Sequence, residues 1–581
     1  ETMRAGGRPH SARLESSVPP DGHNIVLSPT IEPKESSVVK RVVAPVFFIL
    51  AVALVATGCS ATTAPTNTKP LSGGNLVYAT GDAEPTCLDP HVGGNYPQAL
   101  AATQYLESLV SKNTRGEIIP WLASKWTESA NGLQWDFTLK KNVKFTDGTA
   151  LTPEAIAANV AHVQNPSTAS STGYLAMQKV TGVTAVGADV ARFTLSTPDS
   201  ALLDSLSQPW LAIESATALK RSQAVNCESP VGTGPFLVSK WTHQQSVSLV
   251  RNDAYTSPPA DAAHSGRAYL KAIEWRFLPD SASRYAALQA GTVDVIDNVQ
   301  PDTLVAAKKS QDLVAIDAPR PGASNRIELN SSIAPFDDAK VREAFIRSAN
   351  VNDAVTNLFF GTAKRSYSAL SSVEKSGVSE PSLFVYNQKA AATLLDEAGW
   401  SAKNADGYRT KDGKVLEISF PVSTNQSIPA EQSLFEQLQA TSKEAGFKVD
   451  LKPLDLSSWY GALGKNQYNL VSAPYTKVGP DVLRILFDSA GTKPAPSGYF
   501  ANHSQVKDPA LDALLEKAAS TSDATERLSL YKRAQEIVLK GFYILPLYDQ
   551  QNHYLHRSVV KGLRAMPTVS TPTMYDSWLS Q

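Results

Sequence analysis

Residues 133–154 read LQWDFTLKKNVKFTDGTALTPE, and three successive patterns in them set the fold class. From Leu133 to Phe145 the apolar residues alternate, first Trp135, Phe137 and Leu139, then Val143 and Phe145, on either side of Lys140-Lys141-Asn142. A period of two places one face of an extended chain against a core, and a polar break between two such runs predicts a hairpin. Asp147-Gly148 supplies a turn. Thr152-Pro153-Glu154 then has the order of a helix start, with Thr as N-cap, Pro at the first helical position and an apolar face at Ile156 and Val160.

The same alternation of strand and helix signals runs outward from Asn75 to the C-terminal region without a fixed repeat, which gives a mixed α/β class. Asp338 to Asn350 carries Val341, Ala344, Phe345 and Ser348 at helical spacing, and Tyr386 to Gly399 does the same and closes on a glycine. Asp317-Ala318-Pro319-Arg320-Pro321-Gly322 is a Pro/Gly break of the kind found at a boundary between folded units. A length of 581 residues with 42% hydrophobic residues, 33 Gly and 37 Pro excludes a collagen, a disordered tail and a polytopic membrane protein. The net charge of −1 lacks the basic excess that binding to a phosphate backbone needs, so no nucleic-acid partner is expected. Three cysteines are too few for a disulfide scaffold or a four-thiolate zinc site.

Residues 42–56, VVAPVFFILAVALVA, form the one continuously apolar segment, shorter than the ~20 residues that span a bilayer. Lys40 and Arg41 precede it, and small residues ending on Cys59 follow it, as in a signal peptide. The stretch Val55-Ala56-Thr57-Gly58-Cys59 resembles a bacterial lipobox, although Ala56 stands where that pattern favours Leu. The resemblance implies a signal peptide with an extended N-terminal region over residues 1–58, lipidation at Cys59 and a tether over 59–71. The alternative is an uncleaved short anchor. The Ser/Thr/Pro composition of 60–70 suits a flexible connection.

Trp121-Leu122-Ala123-Ser124-Lys125-Trp126, followed by the 133–148 pattern, resembles the signature of bacterial family 5 extracellular solute-binding proteins, the receptors of ABC importers for dipeptides, oligopeptides and nickel. Further along, Pro230-Val231-Gly232-Thr233-Gly234-Pro235-Phe236 is similar to the family's GTGPF turn. Pro335 to Ala344, Tyr386 to Trp400, Asp508 to Leu515 and Pro546-Leu547-Tyr548 resemble its later elements, in family order. This implies a two-lobed periplasmic-binding-protein fold of class II, in the large form with an extra subdomain in lobe I, and a hinge of two chain crossings. Lobe I is expected over 72–317 and 551–581, and lobe II over 318–550.

A search for catalytic motifs finds no GxSxG, HExxH or GxxxxGK[ST], and Gly232-Thr233-Gly234 lacks the third glycine of a dinucleotide loop. The nine histidines are scattered, and His553 and His556, three apart in a strand-like run, would point to opposite faces. Neither enzymatic activity, a cofactor nor a bound metal is expected. In the GTGPF turn, two glycines that permit positive φ and a proline that fixes the exit predict architecture, not binding.

The resemblance implies a ligand cleft bordered by Asn95, Tyr96, Asn425, Trp459, Tyr460, Tyr475, Thr476 and Lys477, with aromatic walls and a few polar groups. It places Cys87, before Leu88-Asp89-Pro90, and Cys227, before the GTGPF turn, in one lobe, and in an oxidising compartment the two are expected to pair. Dipeptide receptors of this family hold a free ammonium with an Asp and a carboxylate with an Arg. Here Thr476, beside Lys477, falls at the first place, and 421–426 is neutral at the second. Free dipeptides are therefore expected to bind poorly. The expected partners are a small peptide-like solute, permease and ATPase subunits and, through lipid, the membrane, with the receptor acting outside the cytoplasm as a monomer. A receptor for a glycoside or metal chelate, a signalling receptor and a hydrolase on the same scaffold are the alternatives.

Overall fold

The computed structural model describes residues 69–424, 426–472 and 479–581. The lipobox at Cys59 and the apolar segment before it lie outside the described residues.

One lobe is built on a seven-stranded sheet in the order Leu313–Pro319, Gln551–Arg557, Val295–Ile296, Asn75–Thr80, Ala272–Phe277, Ser246–Arg251, Phe236–Thr242. The strand Asn75–Thr80 is central because Leu76 and Tyr78 leave water completely. It runs parallel to Ala272–Phe277, in the register Asn75↔Ala272 to Thr80↔Phe277. That register stacks Tyr78 on Trp275 with ring centroids 4.0 Å apart, one of the cross-strand pairs that fix sheet alignment.

A four-stranded antiparallel sheet forms the additional subdomain, in the order Ala123–Glu128, Gln134–Leu139, Val190–Leu195, Val180–Val186. Its core packs Phe137 edge-on to Phe193 and receives Ile156 and Val160 from the helix Pro153–Gln164. Thr152 caps that helix by accepting from the Ala155 N–H, and the apolar face is the one expected from its spacing. The expected hairpin of residues 133–145 is corrected. Gln134–Leu139 pairs with Ala123–Glu128 on one side and Val190–Leu195 on the other. Val143–Phe145 instead folds onto its own continuation, with Leu151 N–H donating to Val143 and Phe145 N–H to Thr149. Asn142, at φ 63°, turns the chain away, and the Asp147-Gly148 turn reverses it again after only a few residues.

The other lobe centres on the three-stranded sheet Leu470–Ser472, Asn325–Leu329, Ile544–Tyr548 and the parallel pair Glu417–Ser423 and Lys448–Leu454. Helices Ala339–Ser348, Gln388–Glu397 and Pro509–Ser520 share its core, each capped by the Asp or Asn that precedes it. Two adjacent strands connect the lobes. The chain leaves the seven-stranded sheet at Pro319 and returns at Gln551, which are opposite one another in the antiparallel ladder. Arg320 N–H donates to Gln550 O at 2.9 Å, extending that ladder one step into the crossing.

Cys87 and Cys227 are joined by a disulfide that closes a sequence separation of 140. It holds Leu88 against the end of the helix Gln223–Glu228, where Leu88 N–H donates to Cys227 O. The GTGPF turn is architectural for a reason other than the one expected. Neither Gly232 nor Gly234 has positive φ; each lies against the backbone of Tyr105, where an added Cβ would fall 2.1 Å and 2.6 Å from the Tyr105 carbonyl oxygen. Thr233 donates to the buried Glu107 carboxylate, which also accepts from Trp121, Tyr255 and Ser257. His553 and His556 do face opposite ways, His553 to Asp317 across the ladder and His556 inward. Among the described residues no helix is long and apolar enough to cross a membrane.

Candidate functional site

A cavity of about 740 Å³ lies between the lobes, lined from both sides. On the first lobe its wall is the start of the helix Tyr96–Ala102. Asn95 and Gln98 form a reciprocal capping box there, Gln98 N–H donating to Asn95 Oδ1 and Asn95 N–H to Gln98 Oε1, so the Asn95 side chain orients the helix. The Asn95 carbonyl accepts from Trp210 Nε1 at 2.9 Å, which turns that indole into the wall.

Tyr96, the next residue, donates its hydroxyl to Val569 O at 2.9 Å and accepts from Asn552. Its ring lies under the Arg320 guanidinium, 4.0 Å from the centroid, a cation–π arrangement at the crossing between the lobes. Burial pushes the Tyr96 phenol up to about 12, against the pull of Arg320 and Asn552, so it stays a neutral donor.

The second lobe contributes the helix Leu456–Gly464, capped by Asp455 through the Ser458 N–H. Trp459 is almost wholly buried among Leu463, Tyr468, Val471 and Phe500, and its Nε1 has no hydrogen-bond partner. Tyr460 meets Trp459 edge-on at 5.1 Å and Tyr499 at 6.1 Å, so three rings brace one another along this wall.

The polar groups are few. Asp82 follows the central strand Asn75–Thr80 at its carboxyl end, where open α/β sheets place ligand sites. Its Oδ1 accepts from Asn298 at 2.8 Å. Burial, reinforced by the Asp297 carboxylate, pushes Asp82 up to about 7, with Asn298 and Arg320 opposing. Asp297 is itself engaged by Tyr78, Thr80 and the Gly81 N–H. Glu84 accepts from Trp241 Nε1 and the Gln244 N–H. Among the described residues Arg320 is the one Lys or Arg side chain lining the cavity.

The structure brings Asn95, Tyr96, Trp459 and Tyr460 to this one cavity. Asn425, Tyr475, Thr476 and Lys477 lie outside the described residues. Sequence reasoning missed Asp82, Arg320 and Tyr499. Arg320 had a signal: a charged residue inside the Pro319-Arg320-Pro321-Gly322 break sits where two lobes must meet. Tyr499 had none, because its place depends on how its loop returns to the helix Leu456–Gly464.

Two lobes, two crossing strands and an aromatic cleft between them define a solute-binding receptor. The chain belongs to the bacterial extracellular solute-binding proteins, family 5, whose middle-region profile matches residues 117–494. The family is made of substrate-binding receptors. The chain is 26% identical over 458 residues to the nickel-binding periplasmic protein of Escherichia coli (strain K12), covering 77% of this chain and 83% of that one. It is also 26% identical over 515 residues to the glutathione-binding protein GsiB of Shigella flexneri, covering 85% and 92%. The fold matches that of the ABC transporter-associated periplasmic binding protein DppA of Helicobacter pylori, solved with the peptide STSA, with a TM-score of 0.76, 24% identity and coverage of 88% and 99%.

Proposed function

We propose that this protein is the extracytoplasmic receptor of an ABC importer. It captures a peptide or peptide-like polar solute between its lobes and delivers it to permease and ATPase subunits in the membrane, acting as a monomer tethered by lipid at Cys59. Lobe I comprises 72–317 and 551–581, and lobe II 318–550. The observation that carries the reading is a cavity of about 740 Å³ with aromatic walls from both lobes, a volume in the range of small-molecule sites. A ligand touching both walls stabilises the closed arrangement over the open one, and that difference in affinity is all that closure requires.

The polar groups on these walls indicate the cargo's chemistry. Tyr96, Trp459 and Tyr460 suit stacking or apolar contact, and Arg320 suits an anionic group. Relatives named for glutathione and nickel bracket the range, from a peptide-like molecule to a metal ion or its chelate. Free dipeptides are expected to bind weakly, because by family likeness the sequence has Thr476, beside Lys477, at the position of the Asp that holds the ammonium in dipeptide receptors.

Mass spectrometry of cargo released by denaturing the natively purified protein tests the reading. One defined peptide-like molecule is expected, and Arg320→Ala should lower affinity for it about tenfold or more. A glycoside or a metal chelate as the sole cargo would overturn the peptide assignment, and unchanged binding by both Trp459→Ala and Arg320→Ala would remove the cleft as the site. Cys59→Ser should move the protein out of the membrane fraction; unchanged membrane partition would refute the lipid tether.

A further inference from the structure

Beneath the first lobe's cleft wall the fold assembles a buried cluster that sequence spacing does not suggest: Asp89, His91, His162 and Glu214. None of the four lines the cleft cavity. One donor atom each from Asp89, His91 and His162 lies within 4.8 Å of the other two. His91 and Asp89 are 1% exposed and His162 is 18% exposed, so the cluster is enclosed with one side chain open toward solvent.

The hydrogen bonds around the rings assign their protons. His91 Nε2 lies 2.8 Å from the carbonyl oxygen of Ala212, which can only accept, so Nε2 carries the proton and Nδ1 the lone pair. That Nδ1 has no hydrogen-bond partner and faces Asp89 Oδ1 at 3.7 Å. His162 Nδ1 lies 3.3 Å from the Thr168 hydroxyl, whose single proton is already donated to His162 O at 2.6 Å. Thr168 therefore accepts from Nδ1, and Nε2 lies 3.0 Å from Asp89 Oδ2, where a doubly protonated ring donates to the carboxylate and a neutral ring offers its lone pair to a cation. Asn226 Nδ2 donates to both Asp89 Oδ2 at 3.1 Å and Glu214 Oε2 at 2.8 Å, and Glu214 Oε1 is buried without a partner. Arg221 donates from Nε to the Ala218 carbonyl and from one terminal nitrogen to Asn226 Oδ1 and the Ser229 carbonyl.

The unpartnered Nδ1 of His91, Nε2 of His162 and the Asp89 carboxylate thus converge beside a second carboxylate, with Asp89 also accepting from the His91 backbone N–H through Oδ1 and from Asn226 through Oδ2. Buried acceptors facing one another are unfavourable unless a proton or a metal cation sits among them. We propose that Asp89, His91 and His162 form a zinc site, with Glu214 Oε1 available to complete it. Two imidazoles and a carboxylate are ligands zinc accepts, and bonds of ~2.0–2.2 Å place tetrahedral donors roughly 3.3–3.6 Å apart. His162 Nε2 is 3.0 Å from Asp89 Oδ2 and His91 Nδ1 is 3.7 Å from Asp89 Oδ1, and with one donor atom per residue the set lies within 4.8 Å, so the side chains must draw in around the ion to reach that spacing. Each ring's outer N–H is already oriented, by the Ala212 carbonyl and by Thr168, as metal-bound histidines require. The Cys87–Cys227 disulfide flanks the cluster through Leu88, so zinc would join two segments that the bond already brings together.

The full chain, stripped with chelator and dialysed against zinc, tests this by elemental analysis and by thermal unfolding. One zinc per chain and a rise in Tm are expected. His162→Gln, the most exposed ligand and the one least tied to folding, should lower zinc affinity at least tenfold and abolish the Tm shift. Tyr460→Ala in the cleft should keep the zinc, which separates this site from any metal carried as cargo. Absence of zinc uptake, or uptake by His162→Gln equal to that of the natural chain, would overturn the proposal and leave protons alone holding the cluster together.

Discussion

Glu107 has no solvent exposure and accepts four hydrogen bonds, from Trp121 Nε1, Tyr255, Thr233 and Ser257. Its carboxyl joins the GTGPF turn to the segment after the first helix. Removing it strands a buried indole N–H, so Glu107→Ala is expected to cost on the order of 3 to 5 kcal/mol, read by urea unfolding; a loss under about 1 kcal/mol would contradict this role. Burial pushes the carboxyl up to about 7, even against its four donors. Between the ordinary carboxylate range and about 7 the folded protein keeps a proton that the unfolded chain has lost. Stability from this group is therefore complete below about pH 4.5 and is lost as pH rises to about 7, roughly 3 kcal/mol in all. Glu107→Gln cannot titrate, so its stability should fall less than that of the natural chain between about pH 5 and about pH 8; equal falls would refute the assignment.

Glycines in two turns serve two physical ends. Gly148 sits at φ 85° with nothing near its missing Cβ, so Gly148→Ala carries only the left-handed backbone cost, about 1 kcal/mol. Gly232 has ordinary φ, but a Cβ there would overlap the Tyr105 carbonyl oxygen and Leu106. Gly232→Ala is thus expected to destabilise several times more than Gly148→Ala, measured side by side by thermal unfolding, and the reverse order would show that the segments can separate. The disulfide acts on the same scale. It closes a separation of 140 residues, and by loop-closure entropy its removal should cost roughly 4 to 5 kcal/mol. Denaturation of Cys87→Ala/Cys227→Ala without reductant checks that figure, and an unchanged midpoint would contradict it.

At the scale of the molecule, the chain crosses between the lobes at Pro319–Arg320 and Gln550–Gln551, and Arg320 of that crossing also lies over Tyr96. Cargo filling the cavity is expected to close the lobes and lower the radius of gyration in small-angle scattering. Because only the folded state binds, stability should rise by about 2.7 kcal/mol at a ligand concentration about 100 times Kd. Stabilisation of that size with no change in scattering would mean that the cavity is already closed around an empty cleft.

The helices at 153–164, 339–348 and 388–397, their caps, and the Pro/Gly break at 317–322 were legible in the sequence because periodicity and capping are local properties. The ordered motifs likewise made the family legible, and with it the two-lobed plan. The partner of the strand Gln134–Leu139 was not legible: Val143–Phe145 has the right alternation, but pairing depends on which strands the whole lobe can bring alongside. The site divides the same way. Tyr96 and Trp459 carried an aromatic signal and Arg320 the signal of its Pro/Gly break, whereas the stacking of Arg320 on Tyr96 and the place of Asp82 at the end of the central strand were set only by the tertiary structure. The same holds for Glu107 and its four donors, and for His91 and His162 around Asp89. Such groups acquire their chemistry from burial and from neighbours far along the chain, and those are set only when the chain closes on itself.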